Sequence, residues 1–580
     1  MLSISRNRIN IKLRKKIIIS FFFFFIFIIM LRYYNLQIIQ YENYKIKSGN
    51  NSVRKIILNA PRGLIFDRNN KPIVDNQLIY DISIIPTDFN VENFNYDLMN
   101  SKLSIKKEDL NSIVLPNKRS YLQYKPILIK RQIDFDTKSI LEEHKLDLKG
   151  LYFSDFPARK YSSDCRLTHV LGYLRQNDKD DYNNIVGFSG LENYYESLLR
   201  GEDGVEYHLV DRHGIDQGLY DVGLSHIPMQ GDSLILTIDR DLQAYCEKRV
   251  SDLKGAIIVM EPESGEILSL ASFPDYKLDS FIGPIPIDVW TKLINDKDKP
   301  FNNRAIQNTY PPGSIFKLIL GSIALEYKIV DLSWQVQCNG IYDFHGTQFA
   351  CWKEEGHGVV NLSKAIQKSC NIYFYNLMQK VDFDLWHEEV VKFGYGAITD
   401  IDLPYEKEGL IPNKKYMNNT YRKRGGWSKG HLLNLSIGQG ETLVTPMQII
   451  NSINLISNEG YILKPHLRKD ILNEKYSISY NRNVFVNIKN AMYDAVYKTG
   501  GTAYNAKIKK SKGNVYGKTG TVQLCTNCDI EPHAWFAGIL EMKNGKKYSI
   551  CVLIENGGKG SNLPAKISKD IFNYMVDKDV

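Results

Sequence analysis

The chain has 580 residues, of which 43% are apolar, and a formal net charge of +9. This length gives room for roughly two to four domains. Six basic residues and no acid lie within residues 1–16, which leaves a net charge of only +3 for the other 564 residues. A positive charge confined to one end is weak support for nucleic-acid binding, so we expect no nucleic-acid partner.

An apolar run follows the basic segment. Residues 17–31 are apolar except for Ser20 and span about 22 Å as a helix, less than the roughly 30 Å of a hydrocarbon core, so a signal peptide is an alternative. The next residues contain no small-residue cleavage site, and Tyr33 and Tyr34 suit a membrane interface. We therefore predict a cytoplasmic tail over residues 1–16 and a single uncleaved transmembrane anchor over residues 17–38.

A membrane-proximal segment follows over residues 39–230. Its pattern is one of short strands and loops without a long helical period, and its composition indicates no function. Asn69 and Asn70 can adopt a left-handed turn at low cost. Charged motifs occur at three places, and from the residues alone they are turns and strand edges that pack locally: Arg62-Gly63-Leu64-Ile65-Phe66-Asp67-Arg68, Pro157-Ala158-Arg159-Lys160-Tyr161 and Gly190-Leu191-Glu192.

Three short motifs in fixed order carry the chemistry of the C-terminal part, residues 231–580. They are Ser314-Ile315-Phe316-Lys317, Ser369-Cys370-Asn371 and Lys518-Thr519-Gly520-Thr521. This order is the signature of penicillin-recognising acyl-transfer enzymes, in which a serine attacks a carbonyl and a lysine activates it. Parts of the motifs recur elsewhere: Ser-x-x-Lys at Ser104 with Lys107 and at Ser251 with Lys254, and Lys-Thr-Gly at Lys498-Thr499-Gly500. The surrounding sequence must therefore decide which copies are catalytic.

The surroundings favour Ser314 as the nucleophile. Ser314 follows Pro311-Pro312-Gly313 and precedes an apolar run, which predicts the first turn of a buried helix. Residues three apart share a helix face, so the Lys317 amine comes within reach of the serine hydroxyl. Ser104 and Ser251 lie among polar and charged residues, which indicates solvated positions.

The third motif has a strand pattern. The segment Val515-Tyr516-Gly517-Lys518-Thr519-Gly520-Thr521-Val522 is typical of a strand that carries catalytic residues. Burial beside a cationic Lys518 would lower the pKa of Lys317 enough for it to accept the proton of Ser314.

Cysteine usage indicates a second feature. Eight cysteines, an even number in an oxidising compartment, make disulfides the default expectation. Cys338, Cys351, His357 and Cys370 are separated by 12, 5 and 12 residues and offer the ligand set of a closed structural zinc site, but this spacing alone leaves zinc, disulfides and free thiols open. For Cys525-Thr526-Asn527-Cys528 we favour a loop disulfide or plain thiols over a redox pair or half of a zinc site, because no thioredoxin-like context surrounds it.

Together with further ordered blocks, the three motifs resemble class B, monofunctional penicillin-binding proteins, and most closely those of the elongation type, penicillin-binding protein 2. The blocks include Asn303-Arg304-Ala305, Gly438-Gln439-Gly440 and His533-Ala534-Trp535-Phe536. The resemblance places Lys498 upstream of the catalytic strand and so favours Lys518. It implies an extended α+β pedestal module over residues 39–230 and an α/β transpeptidase domain over residues 231–580, with an antiparallel sheet flanked by helices as in serine β-lactamases.

The resemblance also implies an activity. It is that of a serine-type D-Ala-D-Ala transpeptidase or carboxypeptidase, which cross-links peptidoglycan stem peptides during cell elongation and is a target of β-lactams. Ser314 would attack the D-Ala-D-Ala terminus, Lys317 would accept its proton, and Ser369 with Asn371 would relay the proton and bind the peptide amide. Lys518 would address the terminal carboxylate. The residues that would complete the carboxylate site and the oxyanion hole are Thr519, Gly520 and Thr521.

One structural zinc ion is implied as well, because such proteins hold zinc between the first two motifs. His357, Cys370 and Cys351 match the ligand positions. Cys338 fits less closely, since an aspartate and a histidine lie between it and Cys351. Zinc bound here would fix the orientation of the second motif and would leave no open coordination position for chemistry.

Partners and location follow from the same resemblance. The sequence shows no glycosyltransferase motifs before the transpeptidase part, which implies a SEDS-family glycosyltransferase and other elongation-complex membrane proteins as partners. The catalytic part would lie in the periplasm, anchored in the inner membrane. A septal transpeptidase and a membrane-anchored β-lactam sensor or scaffold are the alternatives, whereas a β-lactamase would need neither the anchor nor the additional domain of about 200 residues.

Overall fold

The structure is a computed structural model, and it describes residues 3–40, 53–120, 123, 126–176, 185–210, 216–220, 223, 225–283, 285–471, 473–523 and 529–579. Cys525 and Cys528 lie outside these residues, so their state stays a prediction. Helix α1 covers Ser3–Tyr34 and continues as a π-helical turn over Asn35–Ile39. By length and composition, Leu13–Ile39 is the one candidate membrane span in the described part of the chain. This agrees with the predicted single anchor.

The remaining elements alternate between short strands and helices of 4 to 16 residues. The helices are α2 (Tyr96–Leu103), α3 (Lys107–Val114), α4 (Phe135–Glu143), α5 (Thr168–Leu171), α6 (Gly190–Tyr194), α7 (Glu196–Leu199), α8 (Arg240–Val250), α9 (Ile287–Ile294), α10 (Phe316–Glu326), α11 (Leu362–Gln367), α12 (Asn371–Met378), α13 (Phe383–Lys392), α14 (Lys414–Tyr421), α15 (Lys429–Ser436), α16 (Pro446–Ser457), α17 (Arg482–Tyr497) and α18 (Leu563–Lys578). The strands are β1 (Val53–Leu58), β2 (Ile65–Phe66), β3 (Pro72–Ile84), β4 (Ile127–Ile133), β5 (Leu151–Tyr161), β6 (Leu174–Gln176), β7 (Ile185–Gly187), β8 (Gly204–Val210), β9 (Asp216–Leu219), β10 (Leu234–Ile235), β11 (Gly255–Met260), β12 (Ile267–Phe273), β13 (Gln335–Cys338), β14 (Ile341–Phe344), β15 (Thr347–Ala350), β16 (Gly358–Asn361), β17 (Tyr461–Leu463), β18 (Lys475–Ser477), β19 (Gly513–Val522), β20 (His533–Met542) and β21 (Lys547–Ile554).

The chain divides into two compact units, and the first contains residues 1–61, 78–157 and 202–230. The end of β3 pairs antiparallel with β4, and the short helices α2 to α4 pack against this pair. Ile82 and Ile84 of β3 share one buried cluster with Met99, Leu110 and Leu141 of the helices. A separate antiparallel sheet has the order β1-β8-β9. Helices of only eight or nine residues explain why the sequence shows no long helical period here.

The second unit contains residues 62–77, 158–201 and 231–580. Two stretches that precede the boundary predicted at residue 231 therefore fold with the C-terminal part. Within the first of them, Asn70 has φ +60°, which confirms the expected left-handed turn. The central feature is a five-stranded antiparallel sheet with the order β12-β11-β21-β20-β19.

Both faces of this sheet are buried. Alternate residues of each strand point to opposite sides, so neighbouring residues of one strand join different cores. In β11, Ile258 joins a core that includes helices α10 and α16. Its neighbours Ile257 and Val259 join a second core that includes α8 and α18. An antiparallel sheet flanked by helices is the predicted architecture, which is confirmed.

Three charged motifs that are distant in sequence meet inside the second unit. The buried carboxylate of Glu192 accepts hydrogen bonds from Arg62 Nη2 and from Arg159 Nε, each at 2.7 Å. Burial acts to raise the pKa of Glu192, but the two guanidinium groups outweigh it, so its pKa is lowered. The expectation that these motifs pack only locally is wrong, because a buried carboxylate needs cationic partners and the chain supplies them from both sides.

Candidate active site

The loop before helix α10 presents Ser314. Gly313 has φ +56°, a left-handed conformation that suits glycine, and its N–H donates to the carbonyl of Gly438 at 2.9 Å. A Cβ at Gly313 would lie 2.9 Å from Cγ2 of Val522, so the close approach of loop and strand also needs glycine. The predicted first helical turn is a 3₁₀ turn over Gly313–Ile315, and α10 follows it directly.

Lys317 lies one turn further on and is fully buried. Its Nζ donates to Oδ1 of Asn371 at 2.7 Å and to the carbonyl oxygen of Ser369 at 2.9 Å, and it lies 3.3 Å from Oγ of Ser369. One amine thus joins the first and second motifs. Within the described part of the chain, the half-buried hydroxyl of Ser314 has no hydrogen-bond partner, and catalytic hydrogen bonds are often loose before substrate binds.

Ser369 connects the same amine to the third motif. Its Oγ accepts a hydrogen bond from Nζ of Lys518 at 2.9 Å. Ser369 is buried and has φ +54°, a backbone conformation that is uncommon for residues other than glycine. Two lysine amines therefore contact one hydroxyl, which can carry a proton between them.

Strand β19 holds the third motif in register with β20. Lys518 lies opposite Ala537, is fully buried, and also donates from Nζ to the carbonyl of Thr519 at 3.0 Å. The strand extends over Gly513–Val522, so the strand predicted at residues 515–522 is confirmed.

The end of this strand lies against the nucleophile loop. A Cβ on Gly520 would be 3.1 Å from the carbonyl oxygen of Pro312, tighter than an ordinary contact, so glycine permits the approach. Thr521 is held by a hydrogen bond from the N–H of Gly560 to its Oγ1 at 3.2 Å. The three motifs therefore converge on one place, with Thr519, Gly520 and Thr521 running past Ser314.

Burial lowers the pKa of both lysines, because an ammonium group loses hydration when it is enclosed. The pKa of Lys317 falls to about 8, although nearby cysteine thiolates act in the opposite direction. The pKa of Lys518 falls well below its usual value, through burial first and through the charge of Lys317 second. The lowered pKa of Lys317 and its burial agree with the prediction, but the charge effect has the opposite direction, because it runs from Lys317 to Lys518.

The repeated motif fragments lie at exposed positions, away from this network. Ser104 ends helix α2 and Ser251 follows helix α8. Lys498 is exposed and forms a surface ion pair with Asp494 at 2.8 Å. Ser314 and Lys518 are more buried than these copies, which agrees with their choice as the catalytic residues.

The four proposed metal ligands form one cluster beside the second motif. The ligand atoms of Cys338, Cys351, His357 and Cys370 lie within 4.8 Å of one another. Nδ1 of His357 is 3.5 Å from Sγ of both Cys338 and Cys351. A tetrahedral ion with Zn–S and Zn–N bonds of about 2.3 and 2.1 Å would separate sulfur and nitrogen ligands by about 3.6 Å. The donor set and its spacing fit a closed zinc site, and the six cysteines in the described ranges are free thiols.

The cluster also touches the second motif directly. The N–H of Asn371 donates to Sγ of Cys351 at 3.4 Å. A hydrogen bond from the thiol of Cys370 lowers the pKa of Cys351, which favours its thiolate form. The Nδ1 atom of His357 faces the sulfur atoms, while its Nε2 is buried and has no partner among the residues described.

Sequence reasoning missed Trp352. Its indole Nε1–H donates to the carbonyl oxygens of Lys368 and Ser369, at 3.0 and 3.1 Å. Its ring lies 5.3 Å from that of His357. The available signal was an aromatic residue immediately after the proposed ligand Cys351, in an otherwise charged segment.

Comparison with known proteins decides the family. The chain matches the penicillin-binding protein transpeptidase domain over residues 255–574 and the penicillin-binding protein dimerisation domain over residues 57–236. The chain belongs to the penicillin-binding proteins. This penicillin-binding protein is 28% identical to the peptidoglycan D,D-transpeptidase MrdA of Salmonella typhimurium, over 95% of its own length and 93% of the relative's.

Solved structures agree with this relationship. The penicillin-binding protein PBP2 of Helicobacter pylori, solved in complex with MreC, is similar with a TM-score of 0.78 and 27% identity, over 91% of this chain and 99% of that one. A second similar chain comes from a structure titled for the structural coordination of polymerization and crosslinking by a peptidoglycan synthase complex. Its TM-score is 0.73 and its identity 25%, over 97% of this chain and 98% of that one. The predicted family and its similarity to penicillin-binding protein 2 are confirmed.

Proposed function

We propose that this penicillin-binding protein is a peptidoglycan D,D-transpeptidase of cell elongation that acts through an acyl-enzyme on Ser314. One observation carries the proposal: Lys317 and Lys518 both contact the hydroxyl of Ser369, and the strand of Lys518 lies against the nucleophile loop. A general base, a proton carrier and a cation suited to a carboxylate are thus placed together beside the nucleophile.

Acylation begins when Oγ of Ser314 attacks the carbonyl carbon of the penultimate D-alanine and its proton passes to the neutral amine of Lys317. Backbone N–H groups of Ser314 and Thr521 stabilise the oxyanion. Collapse of the tetrahedral intermediate breaks the peptide bond, and the departing D-alanine amine takes the proton from Lys317. An amine of a neighbouring stem peptide then attacks the ester, so that a new peptide bond forms and the serine is regenerated.

The carboxylate of the substrate sets the charge on the two lysines. The pKa of Lys317 is about 8, and burial together with the charge of Lys317 lowers the pKa of Lys518, so we place the proton of the free protein on Lys317 below about pH 8. A carboxylate bound by Lys518 and Thr519 raises the pKa of Lys518, because an opposite charge favours the ammonium form. The proton then moves from Lys317 to Lys518 through the hydroxyl of Ser369. Substrate binding thereby creates the neutral base that acylation needs.

Labelling with a fluorescent penicillin tests the acyl-transfer step. We expect the wild type to form a covalent adduct and Ser314→Ala to form none. Ser104→Ala and Ser251→Ala are matched controls, because each removes the serine of another Ser-x-x-Lys sequence, and both should label like the wild type. Labelling that persists in Ser314→Ala would refute the proposed nucleophile.

Cross-linking distinguishes a transpeptidase from the alternatives. A lipid-linked polymer with D-Ala-D-Ala termini should give dimeric muropeptides with the wild type and none with Ser314→Ala. A β-lactam sensor or scaffold would be labelled by penicillin and yet give no dimers. A β-lactamase would release the hydrolysed drug instead of retaining it.

One structural zinc ion, held by Cys338, Cys351, His357 and Cys370, is part of the proposal. Support comes from the two sulfur–nitrogen separations of 3.5 Å and from the burial of all three thiols. Four protein ligands leave no open position, so the ion takes no part in acyl transfer. When bound, it would neutralise the thiolates and fix Cys370, the middle residue of the second motif.

Elemental analysis tests the metal. We expect about one equivalent of zinc per chain and its loss in the double variant Cys351→Ser, His357→Ala, which should also melt at a lower temperature. Cys551→Ser is the matched control, because that thiol is buried in β21 outside the cluster and should leave the metal in place. A wild type without metal, or unchanged melting of the double variant, would contradict the site.

The proposal also includes a place in the cell. Support for an inner-membrane anchor comes from the apolar, unburied span Leu13–Ile39, and the basic residues before it favour a cytoplasmic N-terminus and a periplasmic transpeptidase unit. The similarity to chains solved with MreC and in a peptidoglycan synthase complex supports elongation-complex partners, among them a SEDS-family glycosyltransferase. Depletion should produce rounded cells, whereas filaments would indicate a septal role.

A further inference from the structure

The indole of Trp352 bridges two carbonyl groups of the second catalytic motif. Its Nε1–H donates to the carbonyl oxygen of Lys368 at 3.0 Å and to that of Ser369 at 3.1 Å. These carbonyls belong to the peptide groups on either side of the Ser369 Cα, so their relative orientation is set by φ and ψ of that residue. A donor that holds both oxygens therefore restrains the backbone conformation of Ser369.

That conformation needs support. Ser369 has φ +54°, which a side chain with Cβ adopts only when the surroundings impose it. The same conformation directs its Oγ to Lys518 at 2.9 Å and its carbonyl oxygen to Lys317 at 2.9 Å. If the residue relaxed to the right-handed or extended region, these two contacts would be lost together.

The hydrogen bonds of Trp352 are separate from those of the neighbouring cysteine cluster, although its ring lies 5.3 Å from that of His357. Cys351 contacts the motif through its sulfur atom, which accepts from the N–H of Asn371 at 3.4 Å. Trp352 instead acts through its own N–H on the residues before Cys370. Its side chain is 57% exposed, so little apolar packing is lost when the ring is changed, and the hydrogen bond can be tested apart from the core.

We propose that Trp352 is a positioning residue for acyl transfer, because its indole N–H holds Ser369 in the left-handed conformation that contacts both catalytic lysines. The inference rests on the acyl-transfer function proposed above. It assigns to Trp352 an effect on the rate of acylation with little effect on the affinity for the β-lactam or stem peptide.

Stopped-flow acylation with a fluorescent penicillin separates the affinity of the first complex from the acylation rate constant. Replacement of Trp352 by 3-benzothienylalanine keeps the bicyclic ring and removes only the N–H, and Trp352→Phe removes the N–H with a smaller aromatic ring. Both should slow acylation about three- to tenfold, the range for loss of one hydrogen bond, with affinity within about twofold. Trp427→Phe is the matched control, since it removes an indole donor to Oδ1 of Asn418 at 2.7 Å, and it should acylate at the wild-type rate.

The outcomes are distinguishable. Wild-type acylation by the benzothienyl variant would overturn the inference, whatever the rate of Trp352→Phe. Slow acylation accompanied by loss of bound metal, or by melting below that of Trp427→Phe, would also overturn it, because the role would then be structural. If the wild type itself forms no adduct, the acyl-transfer proposal fails; if the wild type reacts and the variants match it, this inference alone fails.

Discussion

Substitution of Lys518 by methionine tests which buried amine carries the proton in the free protein. Methionine keeps an unbranched side chain while removing the charge. In the wild type the proton of Lys317 moves to Lys518 when the carboxylate binds, so the second-order rate constant should fall as pH rises through the Lys317 pKa of about 8, where the pair loses that proton. Lys518→Met has no amine to accept the proton, so it needs neutral Lys317 before binding, and its rate constant should rise with pH and level off above about 8. The neutral fraction of Lys317 in the variant is about one tenth at pH 7, one half at pH 8 and nine tenths at pH 9, a nearly tenfold increase.

The size of the electrostatic repulsion between the two lysine amines follows from the distance between them. The Nζ atoms of Lys317 and Lys518 lie at most about 6.2 Å apart, because they are 3.3 and 2.9 Å from the same hydroxyl oxygen of Ser369. At an effective dielectric constant of about 20, two positive charges at this distance repel by about 2.7 kcal/mol, or about two pKa units. If Lys518 were the charged amine, its removal would therefore raise the midpoint for Lys317 from about 8 to about 10.

We expect no such shift. Burial and the charge of Lys317 lower the pKa of Lys518 well below its usual value, so we place the proton of the free pair on Lys317, and removal of a neutral Lys518 would relieve no repulsion. Stopped-flow acylation from about pH 6 to 10 should give a much smaller second-order rate constant for Lys518→Met, since the carboxylate partner is lost. The midpoint of its pH dependence should lie within about half a pH unit of the wild-type midpoint. Lys498→Met, in the exposed Lys-Thr-Gly, should change neither quantity. A midpoint raised by about two units would refute the placement of the proton on Lys317 and its transfer on substrate binding.

Other parts of the structure give further predictions. Glu192→Gln should destabilise the second unit by about 3–5 kcal/mol in thermal unfolding, because buried Arg159 loses its carboxylate partner and Arg62 keeps only Glu196. Asp241→Asn, in an exposed pair, should cost less than about 1 kcal/mol. The pKa of Glu192 is lowered, so the difference in stability between the wild type and Glu192→Gln should be fully present above the unfolded pKa of 4.5 and be lost as pH falls through the folded pKa. A difference in stability that persists in acid would contradict the ion pairs. Gly313→Ala should slow penicillin acylation at least about tenfold, because its Cβ would meet Val522, whereas Gly545→Ala, equally left-handed but in open space, should only lower the melting temperature slightly. Equal acylation by the two glycine variants would contradict the steric argument.

Local patterns in the sequence predicted the elements of the fold better than their partners. The strand at residues 515–522 and the buried helix after Ser314 follow from runs of side chains, and both are present. The charged motifs of Arg62, Arg159 and Glu192 were predicted to be turns and strand edges that pack locally. Their burial depends on contacts between residues 130 and 33 positions apart in sequence. A local sequence pattern cannot predict contacts at such separations. For the same reason the sequence did not reveal that residues 62–77 and 158–201 pack with the C-terminal part.

The order of the three motifs predicted which side chains meet, but it could not predict what makes them reactive. Ser104 and Lys107 have the same chemistry and spacing as Ser314 and Lys317, yet both are exposed. Lys317 differs because it is fully buried, and this burial lowers its pKa to about 8. The backbone of Ser369 is set in a comparable way, by an indole that belongs to none of the motifs. A catalytic motif therefore specifies the reacting groups, whereas their protonation and orientation are determined by residues around it, which is where substitutions with graded effects on acylation should be found.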